Sequence, residues 1–328
     1  MLHSLFSSNR PVVLGILAIP AVLFGVYAYS NVPQPEVLAG GPLFDLLEQH
    51  ILQVKWIHLT LGMAVNIFAA IVLNRISNRH EYSVKENYFP GLLYFFFVSL
   101  DPQWIYLNPI SISNVIIFLA LRRLLAIHRV QDASSKVFDS GLFIGFGSLL
   151  FPPLILVIPL IWLSLAQLRT FSFREWLVPL SGFLIPFLYA SLYYWWYGLE
   201  VQLTEFTSNL SPGWGGVFRG DTPVETAFIA FSIGISLFGM VRFFSGLASS
   251  TVNQKNTRIV FLWMGATLLL LYSYVSSLSI GVAGSPMLMA AQFSIFGSVF
   301  FLIEKRRKIV SSLFYIWLAG AIAVFLVG

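Results

Sequence analysis

Apolar runs recur from one end of this chain to the other, each interrupted only by a short cluster of charged or turn-forming residues. An early one reads PVVLGILAIPAVLFGVYAYS and the last reads IVSSLFYIWLAGAIAVFLV. In hydrocarbon each unpaired backbone N–H or C=O costs several kcal/mol, so segments of this kind are expected to be helices that satisfy their own backbone. Composition agrees: 57% of the 328 residues are apolar and 10% charged, with mean hydropathy +0.81, outside the range of soluble domains. The chain therefore reads as an all-α, polytopic transmembrane helix bundle. There is no cysteine, which excludes disulfides, thiolate metal sites and haem attached through Cys-x-x-Cys-His.

Bounding the apolar runs by charge and turn residues gives about eleven spans. They cover 11–29, 53–74, 87–100, 109–121, 138–150, 154–168, 177–197, 224–244, 258–280, 285–303 and 309–327. The first run is long and lacks a small-x-small cleavage pattern, so it is expected to be retained as a span. With the N-terminus cytoplasmic and the C-terminus outside, all of the 19 Lys and Arg except Lys55 and Arg219 fall on the inner side. That asymmetry accounts for the net charge of +5 without nucleic acid: cations at the inner ends of spans suit membrane insertion and anionic headgroups. The run EKRRK is a stop signal on this reading. Residues 1–197 form an N-terminal membrane module with an outer loop at 30–52 and short helical hairpins. Residues 198–223 form a second outer loop, and 224–328 a C-terminal module of four spans.

Four spans (87–100, 109–121, 138–150 and 154–168) are short. At 1.5 Å per residue they cover only about 20–23 Å of a core about 30 Å thick, so they borrow from their flanks or sit shielded by longer neighbours. Between the last two, Pro152 and Pro153 are expected to end one helix and open the next as a tight hairpin. In the first outer loop, Leu43, Leu46, Leu47, Ile51 and Val54 recur at helical spacing opposite Asp45, Glu48 and Gln49, predicting an amphipathic helix on the outer surface. On the inner side, LRRLLAIHRVQDASSKVF fits a short interfacial helix.

Asp101, in YFFFVSLDPQW, ends the third span at the outer face. A carboxylate at mid-membrane costs roughly 2.5–3.5 kcal/mol, and less at the interface. Two readings stand: an interfacial acid capping the turn before Pro102, or the floor of an outer cleft shared with Asp45 or Glu48. Two converging carboxylates suit general acid/base work. Asp45 and Asp101 would also hold a divalent cation, Mg²⁺ or Mn²⁺, with substrate phosphate completing its shell. Lys55 and Arg219 are the outer cations available to a phosphate, although Lys55 equally suits an interfacial lysine snorkelling to water. Trp195 and Trp196, in YYWWYG, are either an aromatic belt or a surface for stacking a sugar ring. His50 and His58 are poorly spaced for a shared metal, and there is no Gly-rich phosphate loop, His-Glu-x-x-His or nucleophile elbow.

In order and layout these features resemble the polyprenyl-phosphate-dependent, type C glycosyltransferases. Asp45 or Glu48 matches that family's acid after the first span, Asp101 its second acid, and DSGLFIGFGSLLFPP, with Gly141, Gly145 and Pro152, its glycine run before a proline-marked hairpin. The likeness spans about residues 1–197. It lacks an Asp-Glu or Asp-x-Asp pair in the first loop, a basic residue in the hairpin and a C-terminal soluble domain. It implies an undecaprenyl-phosphate-linked sugar donor used at the periplasmic face.

As a whole chain, the sequence is also similar to a poorly characterised family of bacterial multi-pass inner-membrane proteins, through Arg10-Pro11, the ALRRLL stretch Ala120 to Leu125, and Phe138-Asp139. That likeness implies a location and no chemistry. It leaves open a non-catalytic subunit or scaffold of a cell-envelope assembly or secretion complex, with lipids and other membrane proteins as partners. For such a subunit, Gly284, Ala290, Ala291 and Gly297 are a candidate packing face.

Overall fold

The computed structural model describes residues 12–32, 40–79, 87–127, 132–198, 223–245, 252–277, 282–302 and 307–327. Regular structure among them is entirely helical, in twelve α-helices. These are α1 (Val12–Asn31), α2 (Pro42–His50), α3 (Lys55–Arg79), α4 (Phe89–Val98), α5 (Pro109–Leu125), α6 (Ser134–Leu150), α7 (Ile158–Leu168) and α8 (Phe173–Trp196), followed by α9 (Pro223–Ser245), α10 (Val252–Ser277), α11 (Ala290–Phe301) and α12 (Arg307–Val327). Three 3-10 turns, Pro102–Ile105, Pro152–Val157 and Val282–Met289, adjoin the short helices. Five helices, α3, α8, α9, α10 and α12, are long and apolar enough to cross a membrane.

Side-chain contacts give the direction of each helix. Phe89 and Phe301 lie 6.3 Å apart and Phe97 and Phe293 5.1 Å, so α4 and α11 run antiparallel. Phe314 meets Phe89 and Phe301, and the Tyr27 hydroxyl donates to the Leu326 carbonyl, so the end of α12 meets the end of α1. Apart from α2, successive helices alternate in direction. One end of the bundle, called upper here, collects α2, the start of α3 and the ends of α1, α6 and α8. Every described Lys and Arg except Lys55 belongs to the lower end: Arg75, Arg79, Arg122, Arg123, Lys136, Arg169, Arg174, Arg242, Lys255, Arg258, Arg307 and Lys308. Some brace neighbouring helix ends there. Arg123 pairs with Asp139 at 3.3 Å, Arg169 with Glu175 at 3.1 Å, and Arg258 donates to the Phe243 carbonyl.

The middle of the bundle is aromatic. Phe96, Phe293 and Phe228 surround the fully buried Trp317, whose indole N–H donates to Ser232 Oγ at 3.0 Å. Around this core the helices approach through glycines. A Cβ on Gly141 or Gly145 would run into the carbonyls of Pro179 or Phe183, and one on Gly182 into that of Phe138, so α6 and α8 lie backbone to backbone. Gly239 makes the same approach from α9 to the Phe296 carbonyl of α11. Small residues are what permit such contact.

Three expectations change on contact with the structure. The outer-loop helix stops at His50, so Ile51 and Val54 are exposed, and its buried residues are Pro42 and Phe44. The described parts of the inner segment belong to two longer helices: Arg122 and Arg123 lie in the last turn of α5 and Lys136 in the first turn of α6, while 128–131 fall outside the described residues. Ala290, Ala291 and Gly297 are buried inside the chain's own bundle, Gly297 beneath Leu93 of α4, so this small-residue face already has an internal partner.

Candidate functional site

The upper end carries the acids. Gly41 cannot accept a Cβ because the Leu149 carbonyl lies against it, and its N–H donates to the Leu150 carbonyl at 2.8 Å. Pro42 follows in the first turn, a position that favours helix initiation, and Phe44 is fully buried. This docking of α2 on the end of α6 leaves Asp45 exposed and Glu48 half-buried one turn on. Asp45 sits near the α2 N-terminus, where the helix dipole favours negative charge. Burial by surrounding protein, and then the charge of Glu48, nevertheless push its carboxyl above the ordinary aspartate value.

Asp45 also acts electrostatically on Tyr194, whose ring is almost wholly buried at the end of α8. Tyr193 meets Tyr194 edge-on at 5.7 Å, and Trp195 and Trp196 beyond them are 66% and 78% exposed. The acid pair and the end of α8 that carries these aromatics both lie at the upper end of the bundle. Glu48 likewise acts on His58, in the first turn of α3. His58 Nε2 lies 2.7 Å from the Leu107 carbonyl, its ring meets Tyr106 edge-on at 5.3 Å, and its own carbonyl accepts from Leu107 N–H at 3.3 Å.

Lys55 and Asp101 are engaged with backbone. Lys55 Nζ donates to the Tyr29 carbonyl at 2.6 Å and lies 4.8 Å from the centre of the Tyr29 ring, tying the start of α3 to the end of α1. Asp101 Oδ1 accepts from Gln103 N–H at 2.7 Å and caps the Pro102–Ile105 turn. Its extended backbone is what a following proline selects. Arg219 lies outside the described residues. Among the described residues no group of three or more His, Asp or Glu side chains is placed to hold a metal ion. A site of two carboxylates completed by phosphate oxygens would need fewer protein ligands.

Sequence reading passed over a second polar group, inside the bundle. Asn66, Tyr94, Trp104, Asn114 and Gln292 are all at least nine-tenths buried. Asn66 Nδ2 donates to the Trp104 carbonyl, Asn114 Nδ2 to that of Met287 and Gln292 Nε2 to that of Phe261. The signal was legible as asparagines within apolar runs, GMAVNIFAAIV and ISISNVIIF, since polar side chains at such positions are costly and usually face a bundle interior. Compared with known proteins, the chain matches no family model, no curated protein and no solved structure.

Proposed function

We propose that the chain is an eleven-span protein of the bacterial inner membrane whose upper, periplasmic end transfers a sugar from a polyprenyl-phosphate-linked donor to an acceptor hydroxyl. The observation that supports this reading is that Asp45 and Glu48 lie at the same end of the bundle as Tyr194 and the exposed Trp195 and Trp196, with Asp45 close enough to act on Tyr194 electrostatically. Asp45, whose raised pKa makes it a better proton acceptor than an ordinary aspartate, takes the proton as the acceptor oxygen bonds to the anomeric carbon. In the same step the anomeric carbon's bond to the phosphate oxygen breaks, and its electron pair leaves with polyprenyl phosphate. The indole faces offer the apolar side of a sugar ring a stacking surface. Charge on the departing phosphate falls to Arg219, to a divalent cation, or to Lys55 once it leaves the Tyr29 carbonyl.

The test is transfer by the purified protein in lipid vesicles supplied with polyprenyl-phosphate-linked sugar. Loss of a general base costs on the order of 10²–10⁴-fold in rate, so Asp45→Asn is expected to fall by that much while remaining folded. Full activity in Asp101→Asn would confine Asp101 to its capping role.

A second reading, a non-catalytic subunit of an envelope assembly, is favoured by a different observation: Lys55 and Asp101 both serve the chain's own backbone. Isolation from native membrane separates the two. Co-purifying lipid-linked sugar supports the enzyme, and stoichiometric protein partners without it support the subunit.

A further inference from the structure

The 3-10 turn Pro102–Ile105 connects two helices at the upper side of the bundle, yet it does not lie at the upper surface. Its level follows from contacts with α3. Gly91 of α4 donates through its N–H to Asn74 Oδ1 at 3.2 Å, and a Cβ on Gly91 would press on the Ala70 carbonyl, so α4 rises beside the lower half of α3 and stops at Val98. Asn66 Nδ2 donates to the Trp104 carbonyl at 3.3 Å, and a Cβ on Gly62 would run into the backbone of Ile105 and Leu107. The turn therefore stands level with Gly62 to Asn66. Only afterwards does the chain climb to His58, whose carbonyl accepts from Leu107 N–H.

The upper membrane boundary is marked by other residues. Tyr29 and Trp56 are 48% and 59% exposed at the end of α1 and the start of α3, and the bond from Lys55 to the Tyr29 carbonyl holds those two ends together. Exposed aromatics of this kind collect at the membrane interface. Gly62 to Asn66 lie six to ten residues below Trp56, about 9–15 Å at 1.5 Å per residue, so the turn is inside the hydrocarbon layer and not at its edge. There it exposes the wrong residues for lipid. Asp101 and Gln103 are partly exposed, while Pro102, Trp104 and Ile105 are buried. At the same level α3 shows the opposite choice, exposing Leu61, Ala64 and Phe68. A carboxylate open to hydrocarbon is costly, and irregular backbone at membrane depth persists where it is buried in protein or lines water.

We propose that an aqueous recess reaches the Pro102–Ile105 turn, so that Asp101 and Gln103 meet water well below the upper interface. Asp101 Oδ1 keeps its bond from Gln103 N–H and closes the turn, while the exposed parts of both side chains face the recess. Beneath them the rising end of α4 presents only buried apolar side chains, Phe95, Phe97, Val98 and Leu100, so water enters from the upper side. A recess lined by a carboxylate and a carboxamide takes water and small hydrogen-bonding solutes. It stands whether or not the upper-end acids catalyse glycosyl transfer.

Thiol reactivity tests this, because the thiolate is the reactive form, hydrocarbon does not support it, and the chain has no cysteine of its own. The comparison is between Gln103→Cys and Ala64→Cys, which sits at the same level on the exposed apolar side of α3. With the full chain in lipid nanodiscs, Gln103→Cys is expected to react with a small charged methanethiosulfonate about tenfold faster than Ala64→Cys, or more. Equal rates at the two positions overturn the proposal. If Gln103→Cys does not fold, the natural protein supplies the decision through Asp101. A water-soluble carbodiimide with an added amine is expected to modify that carboxyl, as read by peptide mass. Failure of the water-soluble reagent, whether or not apolar dicyclohexylcarbodiimide reaches Asp101 through the lipid, overturns the proposal as well.

Discussion

Asp45 shows how one side chain is pulled in opposite directions. The start of α2 favours its charge, while local burial and Glu48, one turn along the helix, oppose it and prevail. A folded-state pKa above the unfolded value of about 3.9 means that the folded protein holds the proton more tightly. Ionisation therefore carries a penalty that is fully present above the raised folded pKa and absent below the unfolded value. Because the side chain reaches solvent, screening keeps this penalty small. Asp45→Asn is expected to be slightly more stable than the natural protein at neutral pH and indistinguishable from it near pH 4. Thermal unfolding in detergent across that interval checks the sign, and a variant less stable at pH 7 than at pH 4, relative to the natural protein, would contradict it. Asn108 presents a larger and simpler case. Its side chain accepts from Ser111 N–H at 2.7 Å in a reciprocal capping box at the start of α5, and its amide donates to the carbonyls of Trp104 and Tyr106. Asn108→Ala should cost about 1–2 kcal/mol for the lost cap, with more from the two freed carbonyls. Asn108→Ser, which can keep the cap, should recover part of that in the same measurement.

Among whole elements, the closest approach is that of α6 to α8, and it rests on Gly141, Gly145 and Gly182. At each, an added Cβ meets main chain of the facing helix, which cannot rotate away as a side chain does. Gly141→Val or Gly182→Val is expected to destabilise by about 1–3 kcal/mol or more as the helices are forced apart. Gly234 on α9 has nothing within 4 Å of its added Cβ and is exposed, so Gly234→Ala should cost nothing. Equal effects at Gly182 and Gly234 would show that helix propensity, not interhelical contact, decides. This pair of helices also shows what a sequence can and cannot disclose. The run GLFIG was visible, as were Pro152 and Pro153 and the Asp101-Pro102 break, because glycine and proline act on the backbone locally. That Gly141 meets Pro179, thirty-eight positions on, depends on a return through α7 that no local pattern specifies. The amphipathic pattern in 43–54 indicated a helix and missed its end. Ile51 fits the periodic stripe, yet the chain turns there to enter α3, and Phe44 becomes the anchor because it faces the end of α6. The acids Asp45 and Asp101 were conspicuous as charges among apolar residues. Their separate surroundings, a helix docked on the end of α6 and a 3-10 cap, come from tertiary packing.

For the molecule as a whole, charge and geometry must agree if the bundle lies across a bilayer. Two observations combine here: aromatic and hydrogen-bond contacts give the alternating helix directions, and the sequence gives which terminus of each helix carries its Lys and Arg; together they gather every described one except Lys55 at one end. A bundle lying along a surface, or two sets of helices on opposite sides, has no reason to sort its cations by helix end. Insertion does, since basic residues are retained on the cytoplasmic side. The exposed apolar residues of α8, including Leu177, Leu184, Leu188 and Leu192, extend between Phe173 near its lower end and Trp196 at its upper end, as a lipid-facing wall with aromatic margins would. The natural absence of cysteine makes this directly measurable. On the proposed topology, single cysteines at Gln49 or Trp196, both exposed at the upper end, should react with a membrane-impermeant maleimide applied to the periplasmic side of intact cells. Cysteines at Arg75 or Lys255, exposed at the lower end, should react only after the membrane is opened. If Lys255→Cys labels in intact cells as readily as Gln49→Cys, the two ends share a compartment and the alternating passage of α3 through α10 is wrong. If the pattern is inverted, the acids of α2 face the cytoplasm, and a donor presented at the periplasmic surface cannot reach them.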